Sequence, residues 1–139
     1  MPGVDKAAAY EALFARMSAL RHTLEALARE ELRDEHRFLE IHWLAAVYKE
    51  QLNVWWGQLC QLMPYASYLA TGHWHTVRKE ALRRALYRCQ LCNAAGPLQV
   101  HHRTYAHLGW EDEHLTDLIA LCGRCHAKHH NKIPNAPGV

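Results

Sequence analysis

Nowhere in its 139 residues does the sequence hold an apolar run approaching the length of a membrane span. Its start, Met1-Pro2-Gly3-Val4-Asp5, has neither a basic n-region nor an apolar h-region, so no secretory signal is visible. Both absences point to an intracellular, cytoplasmic setting with no membrane partner. A reducing compartment argues against disulfides for the 5 cysteines. The length allows one modest domain, or a small domain with a helical extension. Net charge is only +2, but it is unevenly placed. Residues 1–70 carry seven Lys/Arg against nine Asp/Glu, whereas residues 71–139 carry nine against five. The basic excess in the second half suits a polyanionic partner.

Helix breakers are also scarce at the start: there is no Gly or Pro between Ala7 and Arg33. Within that stretch Leu13, Met17, Leu20, Leu24 and Leu27 step by four, three, four and three, a heptad seam. Asp34 is a plausible break. A second helix follows, with Ile41, Leu44, Tyr48, Leu52, Trp55, Leu59 and Leu62 at helical spacing, and Pro64 ends it. The expectation is an antiparallel helical hairpin over residues 1–66. It either packs on the rest of the chain or serves as a surface for a homodimer or partner protein, since Trp43, Trp55 and Trp56 add apolar area. Cys60 reads as a buried small hydrophobe. His22, His36 and His42 read as ordinary surface or boundary residues.

What the sequence does have is concentrated between Cys89 and His130. Cys89-Gln90-Leu91-Cys92 and Cys122-Gly123-Arg124-Cys125 are two C-x-x-C knuckles about thirty residues apart. Each places a thiolate pair on a tight turn, and two pairs complete a tetrahedral zinc site. Histidines crowd the same stretch. His101 and His102 end a short apolar strand begun by Leu98-Gln99-Val100, where neighbours point to opposite faces. One can bind a metal while the other stays free as a base. His126 and His130 are four apart and share a face if the segment is helical; His129, three from His126, competes for the same role. A helix from Trp74 to Leu86 leads into the motif. Arg78, Lys79, Arg83, Arg84 and Arg88 give it and its exit five positive charges in eleven residues, opposed only by Glu80. Such a run is either a solvated face or a set of phosphate contacts.

In order and spacing, the stretch from about Tyr68 to Asn131 resembles the HNH endonucleases, the zinc-clipped ββα-metal (His-Me finger) nucleases. The residues that carry the resemblance are Tyr68-Leu69-Ala70-Thr71-Gly72-His73-Trp74, both knuckles, Val100-His101-His102-Arg103-Thr104-Tyr105, Leu108-Gly109, Asp117-Leu118 and Leu121-Cys122-Gly123-Arg124-Cys125-His126. They cover about half the chain. The resemblance implies an α+β protein, with the helical hairpin at 1–66 followed by a small zinc-stabilised ββα-metal domain at 67–139. It implies metal-dependent hydrolysis of DNA phosphodiesters, leaving 5′-phosphate and 3′-hydroxyl ends, in a phage or mobile-element setting. His102 matches the family's general base, and His101, His126 and His130 match ligands of a catalytic divalent ion. Cys89, Cys92, Cys122 and Cys125 would hold structural zinc.

Two positions depart from the family pattern. Asp117 stands where the middle residue is commonly Asn, which braces the loop and fixes the base. His101 stands where many members carry Asp, as it does in colicin-type members. Three imidazoles favour Mn²⁺, Ni²⁺ or Zn²⁺ over oxygen-loving Mg²⁺. Arg103 and Tyr105 flank the histidine pair and are candidates for the scissile phosphate. His107, His114, Glu111, Asp112 and Glu113 read as solvated loop residues. The alternative is a zinc-stabilised nucleic-acid-binding module without catalysis; a third reading makes the hairpin an adaptor to a larger machine.

Overall fold

The computed structural model describes residues 5–31 and 37–130, with only the backbone described at 31 and 130. It is α+β: a helical N-terminal region, then a two-stranded antiparallel sheet with a four-cysteine cluster. The chain divides into two compact units, Met1–Met63 and Pro64–Val139. The division falls slightly before the 66/67 boundary drawn from composition and puts Tyr65 in the second unit. Asp34, His36 and the tail beyond His130 lie outside the described residues.

The first unit is a hairpin of α1 (Lys6–Glu31) and α2 (Phe38–Leu62). The Asp5 carboxylate accepts the N–H groups of Ala7 and Ala8, capping α1. The heptad seam faces inward. Leu13 and Met17 are buried against Leu59, with Leu52, Trp55 and Trp56 packed around them. Arg16 lies over the Trp55 ring, 4.8 Å from its centroid. Cys60 is fully buried, as its apolar surroundings suggested. On α2, Leu39, Trp43, Val47 and Val54 are exposed, so the hairpin does bear more apolar surface than its two helices hide from each other. Among the described residues no helix is long and apolar enough to cross a membrane.

The second unit opens with a short helix, α3 (Tyr65–Leu69), then α4 (Gly72–Arg84). The Thr71 hydroxyl caps α4 by accepting the Trp74 N–H at 3.1 Å. Trp74, Val77 and Ala81 form its buried face, as the apolar spacing required. The chain leaves α4 through Leu86 and Tyr87, both at positive φ, and enters the first knuckle. Strand β1 (Leu98–His102) pairs with β2 (Leu118–Cys122), with His101 opposite Ile119 and His102 opposite Leu118. A 3₁₀ turn, Leu115–Asp117, precedes β2, and α5 (Gly123–His130) follows it without a break. The second knuckle therefore straddles the strand–helix junction: Cys122 ends the strand and Cys125 lies in the first turn of the helix.

Candidate metal centre and the histidine pair

The two knuckles meet. The sulfurs of Cys89, Cys92, Cys122 and Cys125 lie within 4.8 Å of one another, and Cys92 and Cys122 are 3.6 Å apart. Four sulfurs at about 2.3 Å from a tetrahedral zinc would be about 3.8 Å apart, so the cage has the right size. The cluster can hold a metal ion such as zinc. Local structure builds it: the Cys89 carbonyl accepts the Asn93 N–H at 2.8 Å, and Asn93 takes the left-handed turn that short polar side chains tolerate. Gln90 ties the first knuckle to β2, its N–H donating to the Ala120 carbonyl and its Oε1 accepting the Ala120 N–H. Without a cation the thiols cannot all ionise together. Burial pushes Cys89 up, but backbone N–H groups of both knuckles outweigh it and bring it down to about 6. Cys125 is pushed up to about 12 by the Cys92 sulfur and by burial.

Strand pleating sends His101 and His102 to opposite faces, as expected. The His101 ring lies toward α5, edge-on to His126 at 5.2 Å and to His129 at 5.1 Å between centroids. His129, rather than His130, is thus the described partner; the His130 side chain lies outside the described residues. Nε2 of His129 is buried without a hydrogen-bond partner. Burying such a nitrogen unpaired costs on the order of 1–3 kcal/mol, and a divalent ion is what three imidazoles with a spare nitrogen are suited to take. Among the described residues, only the cysteines have three or more ligand atoms already drawn together; the three imidazoles are packed ring against ring instead.

His102 has a different environment. It is 1 % exposed, stacked on Trp74 (4.8 Å) and Tyr105 (5.2 Å). Its Nδ1 is 3.0 Å from the Tyr65 hydroxyl and its Nε2 is 2.9 Å from Glu111 Oε1. Both ring nitrogens are thus occupied. Glu111, read from sequence as a solvated loop acid, is fully buried instead. It accepts from the Tyr68 hydroxyl at 2.5 Å, from His73 Nε2 at 3.0 Å and from the Gly109 N–H at 2.9 Å, besides His102. Gly109 sits at φ 95°, a conformation that glycine adopts freely, and so aims its N–H at the carboxylate. Burial alone would raise the Glu111 carboxyl. The donors from His102, His73 and Tyr68 overcome that and hold it well below the usual carboxylate range. An ionised Glu111 accepts from Nε2, so Nε2 carries the proton and the lone pair of a neutral His102 lies on Nδ1. Tyr65 is pushed up by burial, then by Tyr105, which also hydrogen-bonds its hydroxyl, and by Glu111; that hydroxyl, 3.0 Å from Nδ1, is placed to donate to the lone pair.

Asp117 does not brace His102. Its carboxylate is 2.7 Å from His107 Nδ1, and His107 stacks on His114 at 3.7 Å. The bracing of His102 falls to Glu111, a carboxylate six residues earlier. His107 is therefore a partnered residue and not simply a solvated one, whereas Asp112 and Glu113 are exposed as expected.

Of the basic residues, three are committed to the protein. Arg78 donates to the Leu98 carbonyl at 3.4 Å, Arg88 to the Asn93 carbonyl at 3.2 Å, and Arg83 grips Glu80 through two bonds of 2.8 and 2.6 Å. Lys79, Arg84 and Arg103 have no such partner for their side chains among the described residues. Tyr105 is half-buried against Tyr65 and His102. Tyr65 had no place in the sequence-based expectations, and Tyr68 and His73 figured there only as part of a motif, without a role at His102. No family model, curated protein or solved structure matches the chain.

Proposed function

We propose that the chain is a metal-dependent endonuclease of the ββα-metal kind, hydrolysing DNA phosphodiesters, with zinc on the four cysteines as a structural clip. The observation that carries this reading is the meeting of His101 with His126 and His129 where β1 packs beside α5. Neither packing nor a zinc clip calls for three imidazoles there, one with a buried nitrogen left over. His101, His126 and His129 would hold a divalent ion, which would supply positive charge where negative charge grows on the phosphodiester. His102 serves as the base at Nδ1, because Glu111 keeps the proton on Nε2. The attacking water must take the place of the Tyr65 hydroxyl on that nitrogen. Glu111 orients the ring and stabilises the imidazolium that forms, as a buried carboxylate behind a catalytic histidine does. Asp117 acts at one remove, holding the loop through His107.

A second reading has an observation of its own. A histidine buried to 1 % with both nitrogens hydrogen-bonded suits a module that binds nucleic acid without cutting it. Nicking of supercoiled plasmid separates the two. The protein is stripped mildly enough to keep the cysteine-bound zinc, then supplied with Mg²⁺, Mn²⁺, Ni²⁺ or Zn²⁺. The nuclease reading expects cleavage, better with Mn²⁺ or Ni²⁺ than with Mg²⁺, that collapses in His102→Ala with the fold retained. DNA bound but left intact in every metal selects the binding module.

A further inference from the structure

We infer that the second unit carries a phosphate-binding cleft formed by Arg84 and Arg103, separate from the histidine cluster. It is a hollow of about 170 Å³. Ala81 and Arg84 of α4, Gln90 of the first knuckle, Arg103 after β1, Thr116 of the 3₁₀ turn and Leu118 of β2 contribute to its lining. The volume accommodates one tetrahedral oxyanion with a few waters, since a water occupies about 30 Å³ of liquid.

The chemistry of the lining is one-sided. Two guanidinium groups offer only donors. The Gln90 amide oxygen is already bonded to the Ala120 N–H, so what it has left to offer is its NH₂ group. Thr116 adds a hydroxyl, and no carboxylate lines the hollow. The neighbouring acids are committed elsewhere: Glu80 is held by Arg83, and Asp117 by His107. Arg84 and Arg103, both exposed, therefore line one concave polar surface without an ion pair among the described residues; Arg84 also lowers the Glu80 carboxyl, but it is Arg83 that grips it. The Arg103 backbone is fixed in place, its N–H donating to the Asp117 carbonyl at 2.7 Å. A ligand that satisfies this lining is an acceptor-only anion, and two guanidinium forks suit a phosphate group in particular. Identifying that phosphate as part of a DNA backbone rests on the nuclease reading; the anion site itself does not.

The side-chain Nε–H resonances of Arg84 and Arg103 report on the site directly in the full-length protein. They are followed while inorganic phosphate, and separately a short DNA duplex, is titrated in. Saturable shifts of both resonances with phosphate, and at lower concentration with duplex, are the expected result. Shifts with phosphate alone would overturn the assignment to a nucleic-acid backbone, and shifts with neither would overturn the cleft. The double variant Arg84→Gln/Arg103→Gln provides a second readout, with Lys6→Gln/Arg21→Gln as a control of equal charge change. Duplex affinity should fall about tenfold or more, and the slope of log K against log salt should drop by about one to two, only in the first variant. Equal losses in both pairs would remove the proposal. Cleavage is scored separately. Binding through these arginines without cutting in any metal leaves the cleft and removes the nuclease; plasmid nicking with unaltered binding in the double variant does the reverse.

Discussion

His101 turns toward α5, where its ring meets His126 and His129, while His102 turns toward α3 and α4, where both its nitrogens are hydrogen-bonded. The two are identical residues joined by one peptide bond, and the pleat of β1 alone decides which face each sees. On one face the polar atoms are completed by protein: a buried carboxylate satisfied by four donors, roofed by Trp74 and Tyr105. On the other, a buried imidazole nitrogen has no partner. A satisfied buried network chiefly holds a fold in one arrangement, whereas an unsatisfied one keeps a cost that a ligand can relieve. The comparison gives the His102 face a satisfied network that favours rigidity, and on the proposed reading it leaves ligand binding to the His101 face.

The largest expected effect falls on the satisfied face. Glu111→Ala strands four donors at once in a buried site, so denaturant unfolding should show a loss of about 3 kcal/mol or more. A loss under about 1 kcal/mol would mean that the network is not holding the second unit together. The pH dependence sharpens the same point. The Glu111 carboxyl lies below its ordinary range in the folded protein, so its contribution is present above the unfolded value near about 4.3 and is lost as pH falls toward the folded one. The stability gap between wild type and Glu111→Gln should stay constant from neutral pH to about 5 and narrow below about 4.

The open face should respond in the opposite sense. His129→Leu removes an unpaired buried nitrogen, so metal-free stability should hold or rise, by up to about 1–3 kcal/mol. Affinity for Ni²⁺ measured by calorimetry should meanwhile drop at least about 100-fold, the upper end for mutating even a supporting residue of a metal site. Glu111→Ala and His129→Leu would then dissociate stability from metal binding. The smallest effect is expected from Tyr65→Phe. It withdraws the hydroxyl's bonds to His102 Nδ1 and to Tyr105 and should cost about 1–2 kcal/mol in thermal or denaturant unfolding, with Glu111 still bonded to Nε2.

How much of this was legible in the sequence varied with the range of the interactions. The knuckles, the hairpin seam and the opposite facing of His101 and His102 follow from local spacing, and the cysteine cage and helices formed where spacing put them. His129 against His130 was harder. At about 100° per residue, residues three and four beyond His126 lie on either side of it along one helix face. His101, arriving on another element, meets the His129 ring, while the His130 side chain lies outside the described residues. Glu111 was misread because Glu111-Asp112-Glu113 is an acidic run in a loop, which ordinarily means solvent. Its burial comes from Tyr68 and His73, some forty residues earlier in the chain, together with His102, and from the N–H that Gly109 turns inward. Asp117 was assigned to His102 by its place in a motif, whereas the turn that contains it delivers the carboxylate to His107. No periodicity in one sequence carries such long-range pairings. Tyr65, adjacent to a helix-ending proline, offered no local sign that it would reach His102.

The most direct test of the two-faced account is a Ni²⁺ titration of the zinc-loaded protein, followed through the imidazole resonances. Paramagnetic broadening should strike His101, His126 and His129 first and saturably, with His102 and His73 broadened later and less. Broadening that begins at His102, or that spreads over exposed histidines without saturating, would contradict the assignment of the ligand-binding face and with it the proposed metal-dependent chemistry.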